Sequence, residues 1–95
     1  MFQPSQPLTM QTAQSALAEG LRAIDAGQTG FDLMAVESVD SASVAILLAW
    51  VRAAQKRGAT LDFHNPPPAL SSLAALYGVS DLLQLPVQET AAQRH

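Results

Sequence analysis

The chain has 95 residues, 48% of them hydrophobic and 14% charged, with a formal net charge of -3. That length holds one small domain, and so apolar a composition with so little net charge excludes an intrinsically disordered chain. Scattered cations argue against binding a nucleic-acid backbone, and the absence of cysteine removes disulfides, thiolate metal sites and thiol nucleophiles.

The first residues (MFQPSQPLTM) lack the basic and apolar regions of a secretion signal, so a cytoplasmic protein is expected. Pro4 and Pro7 allow at best a short edge strand. Thr9 is a candidate N-cap. After it Ala13, Leu17, Leu21 and Ile24 form a helical stripe, and Gly27 stands where a helix ends, which predicts a first helix over Met10 to Ala26. Phe31 to Val36 (FDLMAV) reads as a strand covered on both faces.

Asp40 or Ser41 can cap the next helix, which runs to about Arg57 and stops at Gly58. Thr60 to His64 alternates as a strand. Asn65 turns, and Pro66 to Pro68 lead into a third helix with Leu70, Leu73, Ala74 and Leu76 as its stripe and Gly78 at its end. Val79 to Leu85 is a helical turn or a final strand. Residues 1–86 read as the single domain and residues 87–95 as a polar, flexible tail. The alternation of strands and helices predicts an α/β fold, each strand–helix–strand unit a right-handed crossover.

Chemistry-bearing residues are few. His95 is terminal and His64 closes a strand; alone, each reads as structural. Asp32 and Asp40 flank a strand and could approach one site, although Asp40 is better explained as a cap. No metal-ligand spacing, phosphate-binding loop or nucleophile motif is present, so no enzyme activity, cofactor or metal is expected.

The informative segment is Glu37 to Trp50. A helix opening at Asp40-Ser41 gathers free N–H groups and the positive end of the dipole. Ser41 there can cap, accept a phosphoryl group, or hydrogen-bond across a docking surface. The helix is apolar on two sides. Val44, Leu47, Leu48 and Val51 form one stripe, expected to pack on the sheet. Ala42, Ile46, Ala49, Trp50 and Ala53 form another, with Ser43 at its edge. The second stripe must meet another helix, a twin subunit or a partner, and exposed Ile46 and Trp50 would suit an interface core. Its apolar run, Val44 to Val51, is far shorter than the roughly 20 residues that cross a bilayer.

VESVDSASVAILLAW after an apolar strand resembles the signature of STAS domains, where a strand leads into an Asp-Ser-Ser-Gly-like loop and a long helix. FHNPPPALSSLAALYGVSDLL resembles the small STAS subunit of the Mla phospholipid-transport ABC system, the MlaB type, through Leu73, Ala74, Leu76, Tyr77, Gly78, Val79, Leu82 and Leu83. The resemblance covers about Leu8 to Leu85. It implies a STAS-like central sheet of about four strands covered by helices, short at the N-terminus. It also implies a non-catalytic regulatory subunit that binds the cytoplasmic ATPase of a lipid transporter maintaining outer-membrane lipid asymmetry in Gram-negative bacteria. Such a protein would be peripheral to the inner membrane through its partner alone, with self-association open.

By matching position, Ser41 is the residue phosphorylated in anti-sigma-factor antagonists and the hydroxyl position used for ATPase contact in Mla subunits; Asp40 is the acidic residue before it. The partner-binding set is then Asp40, Ser41, Ala42, Ser43, Ile46 and Trp50. The loop departs from the family pattern in having Ala42 for its second serine and Ser43 for its glycine, which makes the backbone less permissive and weakens the phosphoswitch reading.

Overall fold

A computed structural model describes residues 1–83 and 85. The elements run α1 (Ala13–Asp25), β1 (Gly30–Asp32), α2 (Ser41–Lys56), β2 (Asp62–His64), α3 (Pro68–Leu76) and α4 (Ser80–Leu83). The expected polar tail, residues 87–95, lies outside the described residues.

The sheet is smaller than the expected four strands. Among the described residues β1 and β2 pair in parallel, with Phe31 opposite Phe63, and the remaining sheet-like contacts are single bridges from Phe2 to Phe31 and from Leu8 to Val39. The Phe2 N–H donates to the Gly30 carbonyl at 2.9 Å and the Asp32 N–H to the Phe2 carbonyl at 2.8 Å, so the N-terminus supplies a rudimentary edge beside β1. Two prolines soon afterwards deny it a longer ladder.

The first strand also stops earlier than FDLMAV suggests. The Asp32 carboxylate accepts the Met34 N–H at 3.0 Å, which folds the chain over its own side chain into a turn at Met34-Ala35. Nor is the strand covered on both faces. Phe31 and Phe63 are buried, whereas Gly30 and Asp32 are half-buried and Asp62 and His64 are exposed. One face carries the core and the other carries polar groups, an alternation typical of a one-sided sheet.

The helices gather around α2. Its two apolar sides are both covered within the monomer, by α1 on one side and by α3 and α4 on the other. Of the possible covers for the second stripe, a neighbouring helix is therefore the one realised. Trp50 is fully buried and Ile46 nearly so, which corrects their expected exposure. The indole of Trp50 meets Phe31 with ring centroids 5.2 Å apart, and Phe31 meets Phe2 at 4.7 Å and Phe63 at 6.0 Å, making one aromatic centre under the sheet.

The stripe on α1 turns accordingly. Its buried residues are Ala16, Gly20, Ala23 and Ile24, with Leu17 and Leu21 flanking them half-buried. Small residues lie at the centre because a tryptophan arrives there from α2. Leu76, expected to be buried on α3, is exposed; Leu70, Ser71 and Ala74 face inward instead. Gly27, Gly58 and Gly78 follow α1, α2 and α3 with φ of 92°, 75° and 72°, the left-handed stops that the sequence predicts.

Candidate functional site

The entrance to α2 is built by a reciprocal cap. Asp40 is extended at the N-cap, and its carboxylate accepts the Ala42 N–H at 2.8 Å. The Ser43 hydroxyl accepts the Asp40 N–H at 3.0 Å. Together these close a capping box with serine in the place usually held by glutamate or glutamine.

Both capping side chains have second partners that the sequence does not announce. The other carboxylate oxygen of Asp40 accepts the Met10 N–H at 3.1 Å. The Ser43 hydroxyl donates to the Leu8 carbonyl. Ser43 is fully buried, so it is not a surface docking residue as expected; it is a tie between the N-terminal segment and α2. A serine suits this buried place because its hydroxyl donates and accepts at once.

Ser41 has the opposite fate. It is exposed at the first helical position, and its hydroxyl has no hydrogen-bond partner among the described residues. The cap therefore comes from Asp40, which leaves the Ser41 hydroxyl free for an external group beside the positive end of the α2 dipole.

Next to it runs an apolar groove of about 200 Å³ between α1 and α2. Ala13 and Leu17 line it from α1, and Ala42, Ala45 and Ala49 from α2, with nearly buried Ile46 beneath. The alanines keep the helix surfaces low, which makes a depression in place of a ridge. Of the six predicted partner-binding residues, the structure thus presents Ser41 openly, places Ala42 and Ile46 along the groove, uses Asp40 as a half-buried cap, and withdraws Ser43 and Trp50 into the interior. Sequence reasoning missed the α1 wall of this groove. Its signal was the run of small residues on α2, which only a packed neighbour turns into a concave surface.

Asp32 and Asp40 are not brought together in one constellation. Asp32 sits at the carboxyl end of β1, where it accepts from the Met34 N–H, from Asn65 Nδ2 at 3.1 Å and from Gln3 Nε2 at 3.2 Å. These donors hold its carboxyl below the ordinary carboxylate value, the Met34 N–H most strongly, then Asn65, with smaller help from Gln3 and the charge of nearby His64. Every contact ties strand ends and turns, and Asn65 itself has a left-handed φ of 55°. Among the described residues no group of three or more His, Asp or Glu side chains could hold a metal ion, and no helix is long and apolar enough to cross a membrane.

A family model described as "Mlab, STAS domain" matches residues 6–85. No curated protein and no solved structure matches the chain.

Proposed function

This chain belongs to the STAS domain family, of the Mlab type, and from that premise we propose that it is a non-catalytic regulatory and assembly subunit of a phospholipid-transporting ABC complex. The STAS family is generally a regulatory or assembly domain without catalysis. In this reading the chain binds the complex's cytoplasmic ATPase and supports its activity in maintaining outer-membrane lipid asymmetry. The protein then meets the membrane only through that partner.

The observation that carries the reading is the exposed, unpartnered Ser41 hydroxyl at the mouth of the α1–α2 groove. A hydroxyl able to donate and accept, beside low apolar walls, offers one oriented hydrogen bond and a hydrophobic contact. That combination is typical of a specific protein interface. Trp50 and Ser43 take no direct part, because both are fully buried.

The test is co-purification with the ATPase subunit of a phospholipid-transporting ABC complex from the same organism. Wild type forms a stable complex, Ser41→Ala, which loses the hydrogen bond, binds more weakly, and Ser41→Glu, which forces a charged chain into the groove mouth, loses the complex. Undiminished binding by Ser41→Glu overturns the docking role of this loop.

A second reading is favoured by the same exposed serine at the start of a 16-residue helix: an anti-sigma-factor antagonist switched by phosphorylation of Ser41. The dipole would stabilise the phosphate. Phosphate on Ser41, found by mass spectrometry of protein isolated across growth conditions, supports it; unmodified protein throughout removes it.

A further inference from the structure

Residues Leu8 to Thr12 lie between two elements and touch both. On one side they bond to the α2 entrance: the Met10 N–H to the Asp40 carboxylate and the Leu8 carbonyl to the Ser43 hydroxyl. The Leu8 N–H donates to the Ser38 carbonyl at 3.2 Å, in the loop just before the cap. On the other side they start α1. The Thr12 N–H donates to the Thr9 carbonyl at 3.1 Å, and the Ala16 N–H to the Thr12 carbonyl at 2.8 Å.

Thr12 stands at the N-cap of α1 but gives it no side-chain cap; its hydroxyl donates back to the Pro7 carbonyl. The first turn of α1 is therefore held in place by the strap and not by a cap of its own. Ala13 of that turn and Ala42 of α2 both line the groove.

We infer that Asp40 and Ser43 form a latch that closes the Leu8–Thr12 strap onto α2 and thereby sets the position of the first turn of α1 and the width of the groove mouth. Each latch residue does two jobs with one side chain. Asp40 divides its two oxygens between helix and strap; Ser43 accepts from the cap and donates to the strap. A change at the α2 entrance is thus felt in α1, to which α2 contributes no other polar tie at this end among the described residues. The latch stands whether or not the groove receives a partner, since it is a property of the free chain.

Amide hydrogen exchange on the free protein tests it, in wild type, Asp40→Ser, Ser43→Ala and Ser41→Ala. Asp40→Ser keeps a good N-cap for α2 but has no second oxygen to reach Met10. The latch requires that the amides of Leu8, Met10 and Ala16 exchange about tenfold faster in Asp40→Ser and Ser43→Ala, the effect of losing one charge-assisted or buried bond. The amides of Leu47 to Val51 accelerate only by the factor that each variant's loss of global stability sets, and Ser41→Ala changes nothing. Unchanged Leu8 and Met10 amides overturn the latch. So does acceleration confined to those two with Ala16 unmoved, because the hold on α1 would then be absent. Acceleration of Leu8, Met10 and Ala16 by no more than that global factor also overturns it, since the pair would then serve global stability alone.

Discussion

The indole of Trp50 lies directly on Gly20: a Cβ placed on that glycine would stand 2.1 Å from Trp50 Cε2 and 2.2 Å from Nε1. One turn earlier on the same helix, the Leu17 carbonyl accepts the Trp50 Nε1–H at 3.1 Å. The only tryptophan of the chain is thus buried with its polar atom satisfied, and α1 can approach α2 there because one residue lacks a side chain.

Gly20→Ala should therefore destabilise the protein. In an open helix this change gains roughly 1 kcal/mol from propensity. Here the methyl group collides with a ring packed on every side, and overpacking costs typically 1–3 kcal/mol. Urea denaturation should show a net loss of up to about 2 kcal/mol, together with an altered tryptophan emission spectrum. A stabilised variant would show that the indole has somewhere else to go.

Trp50→Ala should damage folding before it damages any docking. Truncating a buried tryptophan costs about 3–5 kcal/mol, and it leaves the Leu17 carbonyl without its extra donor. The decisive measurement pairs thermal unfolding with binding scored per folded molecule. A folded, stable Trp50→Ala protein that failed to bind would restore this residue to the interface.

Two serines separated by one alanine should respond very differently to the same substitution. Ser41→Ala removes an exposed hydroxyl with no internal partner and should shift stability by no more than about 0.5 kcal/mol. Ser43→Ala removes a buried hydroxyl that serves Asp40 and Leu8, and should cost about 1–3 kcal/mol. Chemical denaturation of both variants side by side measures the contrast. Equal losses would contradict the assignment of these roles.

Asp32 makes stability depend on pH in a definite direction. Its folded-state pKa is lowered from 3.8, chiefly by the Met34 N–H and the Asn65 amide. A depressed carboxylate contributes stability above its unfolded pKa and loses that contribution as pH falls through the lower folded value. The urea midpoint of wild type should therefore decline with acidification below about pH 5. Asp32→Asn should be less stable near neutrality and show a flatter decline. Parallel curves for the two proteins would remove Asp32 as a source of acid sensitivity.

Much of the local structure was legible from residue types. Gly27, Gly58 and Gly78 marked three helix ends because only a glycine takes up the left-handed backbone there without a steric cost. Asp40 was legible as a cap because a short carboxylate before an apolar helix has orphan N–H groups within reach. Thr9 misled, since the same hydroxyl chemistry is repeated at Thr12 and neighbouring backbone decided between them. The strand FDLMAV misled because composition cannot show that the Asp32 side chain will capture the Met34 amide and bend the chain. Of the site, the exposed serine was legible and so were Ala42 and Ile46 of its apolar neighbour; Trp50 and Ser43 were misplaced there because the cover that α1 and the N-terminal segment supply is set by tertiary packing.

Periodicity along the chain determined that α2 must be covered on two sides, because its apolar positions leave no wide polar face. Which body supplies the cover is a question of distance between elements far apart in sequence, and no local pattern encodes it. The tertiary structure decided it through Gly20, whose missing side chain lets α1 close over Trp50, and through the double bonding of Ser43, which ties the N-terminal strap to the helix entrance. Burial of the larger residues then left a groove of alanines beside Ser41 as the surface that remains.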